Sequence, residues 1–76
     1  MLIPVIDMKL TGQNILILRQ KRGMTVRELQ SQLGFSTPQS IYKWQKGDTV
    51  PSVDNLVILG DIFDVTIDDI VVRREI

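Results

Sequence analysis

Between Thr11 and Ile70 the sequence is cut by helix start and stop signals at short intervals. No helix there has room for more than about a dozen residues, a length that is marginal alone in water, so each must be held by packing against the others. Thr11 is placed to cap a helix that ends near Arg22, with Gly23 supplying the left-handed residue after it. Thr25-Val-Arg-Glu28 has the form of a capping box, in which the Thr hydroxyl serves the N3 amide and the Glu carboxylate reaches back. The helix it opens carries Val26, Leu29 and Leu33 on one face and stops at Gly34. Thr37 is expected to cap a third helix, with Pro38 at the first helical position, where its missing N–H is no loss. That helix buries Ile41 and Trp44 and ends at Gly47. Ser52 is set to cap a fourth, running to about Phe63, with Val53, Leu56, Val57 and Leu59 available for burial. Asp64 stands where a left-handed residue is needed, and Thr66-Ile-Asp-Asp69 opens a last helix of about one turn.

The ends differ in kind. Leu2–Ile6 and Ile70–Ile76 are rich in β-branched residues and read as extended, and they are expected to pair antiparallel, within one chain or between two. Pro4 removes a donor, which puts its strand at an edge. The chain therefore divides into an extended N-terminal segment over 1–10, a helical domain over 11–71 and a C-terminal tail over 72–76. The fold class is all-α, a compact bundle of five short helices with a small terminal ribbon.

The bulk numbers exclude several function classes. At 76 residues the chain is expected to form one domain, without room for a separate effector domain. With 43% hydrophobic residues it is too apolar for a disordered tail. It has no cysteine and no histidine, which removes thiolate metal sites, the commonest general base and the commonest neutral metal ligand. Asp68 and Asp69 are neighbours on a helix and point apart, so they form no catalytic pair, and no enzyme, metal, cofactor or small-molecule ligand is expected. No apolar run is long enough for a membrane span, and Met1–Ile6 lacks a basic leader, so the expected location is the cytoplasm.

Net charge is zero, but it is unevenly spread. Lys9, Arg19, Lys21, Arg22, Arg27, Lys43 and Lys46 face only Asp7 and Glu28 in residues 1–47, while the remainder sets seven acids against Arg73 and Arg74. Such a domain can turn a basic face to a polyanion and an acidic face away, although an ordinary solvated surface gives the same counts.

The second and third helices are joined only by Gly34-Phe35-Ser36 and Thr37, so they pack at a steep angle. The second helix of such a pair fits a major groove. Gln39, Tyr42, Lys43 and Lys46 fall at i, i+3, i+4 and i+7, a stripe opposite Ile41 and Trp44. Gln pairs bidentately with adenine, Lys donates to guanine or phosphate, and Tyr can contact a thymine methyl or a phosphate. Thr37, Pro38 and Ser40 complete the candidate site by placing the helix start, with its free amides and dipole, beside a phosphate.

The order of the whole segment adds to this. Thr25-Val-Arg-Glu-Leu-Gln-Ser-Gln-Leu-Gly-Phe-Ser, then Gln-Ser-Ile-Tyr-Lys-Trp-Gln-Lys-Gly, then Pro51-Ser-Val-Asp-Asn-Leu and Val65-Thr-Ile-Asp-Asp-Ile70 resembles the phage-repressor (Cro/cI-like, Xre-type) helix-turn-helix family over about residues 11–71. The resemblance implies a five-helix bundle with Ile15, Leu18, Leu29, Ile41, Trp44, Leu56 and Ile70 in the core and Gln39, Ser40, Tyr42 and Lys43 at DNA. Arg19 matches the family's helix-one Arg, and Gln45 replaces its usual Glu partner, which leaves a charged hydrogen bond. Three departures stand out: Val26 where the family often has a phosphate-binding Gln, Gln30 where a small Ala is usual, and a turn one residue longer with Pro38 at the helix start. Leu16 and Ile17 exceed what an amphipathic first helix needs and call for a cover, either the folded-back Leu2–Ile6 or a second subunit.

Two functions follow. One is a sequence-specific regulator of transcription that binds double-stranded DNA, most simply a homodimeric repressor. The other is a protein-interaction or antitoxin-like module that keeps the fold without its own DNA specificity, favoured by Val26 and the neutral total charge.

Overall fold

The computed structural model describes residues 1–76. The element order is β1 (Pro4–Ile6), α1 (Met8–Lys21), α2 (Val26–Leu33), α3 (Gln39–Lys46), α4 (Val53–Phe63), α5 (Ile67–Ile70) and β2 (Arg73–Glu75). This is the five-helix bundle with a two-stranded antiparallel ribbon that the sequence predicts. No helix is long and apolar enough to cross a membrane.

Most boundaries follow the caps. Thr25 and Glu28 form the capping box of α2, and Gly34 closes that helix in the left-handed conformation at φ 73°. Ser52 caps α4, whose end falls on Asp64 at φ 56°. Thr66 and Asp69 form a second capping box on α5.

Two starts are corrected. Helix α1 begins at Met8, not after Thr11, because the Asp7 carboxylate accepts from the Leu10 N–H at 2.9 Å and caps the chain about one turn earlier. The extended N-terminal segment is shorter by the same residues. Thr11 lies inside the helix, buried, and its hydroxyl accepts from the Val72 N–H at 2.9 Å. Helix α3 begins at Gln39 with Pro38 in the capping position and no side-chain cap. The Pro38 carbonyl accepts from the Tyr42 N–H at 3.2 Å, so Thr37 sits one residue too early to serve the first turn.

The core gathers Ile15, Leu29, Ile41, Trp44, Leu56, Leu59, Phe63 and Ile70, with Leu18 partly buried against it. Ile70 ends α5 inside the core, so the C-terminal extended segment starts after it. Of the residues available for burial on α4, Val53 and Val57 are 71% and 55% exposed, because the inward stripe runs through Leu56, Leu59 and Phe63. Trp44 is 4% exposed and meets Phe35 edge-on, with ring centroids 5.7 Å apart. Helices α1 and α3 cross at Gly12, where a Cβ would run into the Trp44 carbonyl oxygen. Arg19 locks the same crossing, its Nε donating to Gln45 Oε1 at 3.0 Å and its Nη1 to the Met24 carbonyl at 2.8 Å.

The ribbon pairs Pro4 with Glu75, Val5 with Arg74 and Ile6 with Arg73, within the chain. It is tied to the body by the Thr11–Val72 hydrogen bond and by Asn14, whose Nδ2 donates to the Ile70 carbonyl at 3.1 Å. Ile17 stays 45% exposed, so the folded-back N-terminal segment is not its cover.

Candidate nucleic-acid interface

Helix α3 is oriented by its inward residues. Ile41 and Trp44 are buried three residues apart, which turns the opposite face of a 3.6-residue helix to solvent. Gln39, Tyr42, Lys43 and Lys46 are all exposed on that outward face, Tyr42 at 50%. The one ion pair on it joins Lys46 Nζ to Asp48 at 3.6 Å, between side chains that are 72% and 54% exposed, where water and salt leave little net attraction. The stripe is thus an assembled row of donors and acceptors that the fold does not consume.

The start of the helix is also open. Thr37 and Ser40 are exposed and Pro38 is half-buried, and no side chain caps the first turn. Three of the first amides of an uncapped helix point outward and carry the positive end of the helix dipole. Thr37 lies beside this end without serving it.

The fold adds two residues, Arg27 and Lys9, to those on α3. A cleft between the start of α2 and the start of α3 is lined by Val26, Arg27, Gln30, Pro38 and Tyr42. It sets the exposed Arg27 beside Tyr42. Gln30, in the place of the family's small residue, spans the turn by donating from Nε2 to the Phe35 carbonyl at 3.2 Å. At the other end of α3, Gly47 lies so close to α1 that a Cβ on it would stand 2.8 Å from the Lys9 Cα. This brings a third exposed lysine to the end that carries Lys43 and Lys46. The i, i+3 spacing of Arg27 and Gln30 was the available signal for the first; Lys9 had none, since its position depends on how α1 crosses α3. No three His, Cys, Asp or Glu side chains converge to hold a metal ion.

A helix-turn-helix family model matches residues 15–70. No curated protein matches the chain. Two solved structures are similar in fold. One is the S. venezulae BldD DNA-binding domain, with a TM-score of 0.73 at 16% identity over 87% of this chain and 97% of that one. The other is a crystal structure of the DNA-binding domain of BldD, also with a TM-score of 0.73 at 16% identity, over 87% of this chain and 94% of that one.

Proposed function

The chain belongs to the helix-turn-helix family, and from that premise we propose that it is a sequence-specific double-stranded DNA-binding repressor that acts as a homodimer. The observation that carries this reading is the outward face of α3, a donor-rich stripe free of structural duty and flanked at both ends by further cations. The structures it is similar to are DNA-binding domains, which supports the same reading.

Each residue has a role in it. Gln39, in the first turn, reaches the base edges and pairs with an adenine. Ser40 and the open helix start, with Thr37 and Pro38 beside them, take a backbone phosphate. Arg27 and Tyr42 hold a phosphate across the α2–α3 cleft, which supplies from the next residue what Val26 lacks. Lys43 lies over the groove between base and backbone. Lys46 and Lys9 meet the phosphates of the far wall. A two-fold pair of subunits would read half-sites about 34 Å apart. A protein seated there excludes polymerase from the same stretch, which is repression by occupancy.

The test is a titration of Gln39→Ala and Lys46→Ala on a selected and a random duplex at several salt concentrations. Gln39→Ala should cost ~1–3 kcal/mol on the selected site and relax the choice at one base pair. Lys46→Ala should weaken both duplexes alike and reduce the salt slope by about one. If both variants bind like wild type, the stripe is a solvated face and the protein-interaction reading takes its place.

A further inference from the structure

Neither Arg73 nor Glu75 forms an ion pair within the chain, although Arg73 shares a surface cavity with Asp68. Across the ribbon they face Ile6 and Pro4, and the ion pair of the molecule joins Lys46 to Asp48 instead. Two residues apart on a strand, they lie on one face of the ribbon with opposite signs.

Their backbone is unanswered too. Ile3 and Ile76 exchange hydrogen bonds at 2.8 and 3.0 Å, and the Asp7 N–H donates to the Val72 carbonyl at 2.8 Å. In an antiparallel pair the hydrogen-bonding residues alternate, so the amides and carbonyls of Arg73 and Glu75 point away from β1 to the free edge. The free edge of β1 is blunted, because Pro4 falls at an outward position and brings no N–H. The edge of β2 has no proline, and its only guards are its three-residue length and its charges, which a strand of complementary charge would satisfy.

We propose that β2 pairs edge to edge with β2 of a second copy, antiparallel about a two-fold axis at Arg74, to form a four-stranded sheet. In that register Arg73 stands opposite the partner's Glu75 and Glu75 opposite the partner's Arg73. The segment is therefore complementary to itself in charge as well as in hydrogen bonding, and the contact closes as an isologous dimer. Arg74 meets its own copy on the other face of the sheet. Like charges opposed there cost something, but Arg74 is exposed and its long side chain can splay into water. The occupant is set by this pattern: a strand that answers it runs Arg-Arg-Glu, which is β2 itself.

This assignment rests on the homodimer in the reading above and gives it an interface. It is tested by sedimentation equilibrium on the full chain and on Arg73→Glu, Glu75→Arg and the double exchange. Neither position forms an ion pair inside the chain, so circular dichroism should show all four folded alike. Each single reversal sets like charges opposite each other twice and should weaken the dimer about tenfold or more, while the double exchange restores both pairs and the wild-type constant. A wild type that stays monomeric, a dimer indifferent to the single changes, or a double exchange as weak as the singles combined would overturn the proposal. Binding to a duplex carrying one half-site needs only one subunit and separates the two questions. If wild type fails to bind it while the exchange series behaves as stated, the DNA reading falls and the strand pairing stands.

Discussion

Helices α2 and α3 are each eight residues long and each ends on a left-handed glycine, yet they are held in place by different means. The start of α2 is closed by its own sequence. The Thr25 hydroxyl accepts from the Glu28 N–H at 3.1 Å, and the Glu28 carboxylate accepts from the Thr25 N–H at 3.3 Å. The start of α3 has no side-chain cap. What α3 has instead is tertiary: Ile41 and Trp44 in the core, the crossing at Gly12, and the Arg19–Gln45 hydrogen bond. A helix stabilised from its inner face by neighbours leaves its first turn and outer face free. The local account of α2 and the borrowed account of α3 thus leave different surfaces free, and it is on the free outer face of α3 that the proposed contact with DNA rests.

The largest effect that could break this comparison is at Trp44. Trp44→Ala should cost ~3–5 kcal/mol, as truncation of a buried large aromatic does. Against a total of about 5–10 kcal/mol for a domain of this kind, that approaches global unfolding. Thermal denaturation gives the answer, and an unchanged Tm would mean that α3 does not depend on its core contacts. Gly12→Ala comes next, because the new methyl meets backbone that has no rotamer to change. Overpacking of this sort costs ~1–3 kcal/mol. A urea midpoint equal to wild type would show that α1 and α3 can part without loss.

The caps sharpen the comparison at smaller scale. Thr25→Ala should lower stability by about 1 kcal/mol, the usual loss for an N-cap hydroxyl. Thr37→Ala should fall within about 0.5 kcal/mol of wild type, as exposed substitutions without a partner do. The two changes remove the same atoms from just before adjacent helices, so their difference in urea midpoint measures the difference between the two starts. Equal losses would put a cap on α3 after all.

What was legible in the sequence was what is local. Thr25, Ser52, Thr66, Gly34 and Gly47 mark helix ends by their own chemistry, and the structure uses each as read. Ile41 and Trp44 fixed the inward face of α3 by spacing, and so also its outward stripe. The structure departs from the local signals where two of them compete or where the answer lies across the fold. Asp7 and Thr11 are both capping residues about one turn apart, and Asp7 takes the helix because Thr11 is needed by Val72, sixty-one residues away. Pro38 displaced Thr37 from the cap of α3 in a similar local contest. Val53 and Val57 are as apolar as Leu56 and Leu59, and only the packing of α4 on its neighbours decides which stripe turns inward. Lys9 enters the candidate interface through Gly47 alone.

The smallest expected effect tests whether α5 belongs with α2 on the locally held side. This four-residue helix is started by Thr66, whose N–H and hydroxyl both donate to Asp69 Oδ2 at 3.0 Å, while the Asp69 N–H donates to the Thr66 hydroxyl at 3.2 Å. The backbone hydrogen bond from Thr66, and then its hydroxyl, favour the ionised carboxylate and hold Asp69 below its ordinary value of 3.8, against a small opposing effect of desolvation. The folded state therefore prefers the carboxylate more strongly than the unfolded chain does. The contribution to stability is fully present above 3.8 and is lost as the pH falls through the lower folded value. Wild type should lose stability with acid in that range more steeply than Asp69→Asn, which has no proton to gain at this position. The difference should be small, since the group is exposed to solvent. Urea midpoints of both proteins from neutral pH down into the acid range give the two slopes. Parallel slopes would mean that the charge adds nothing to the start of α5, which would then be held, like α3, by the burial of its last residue, Ile70.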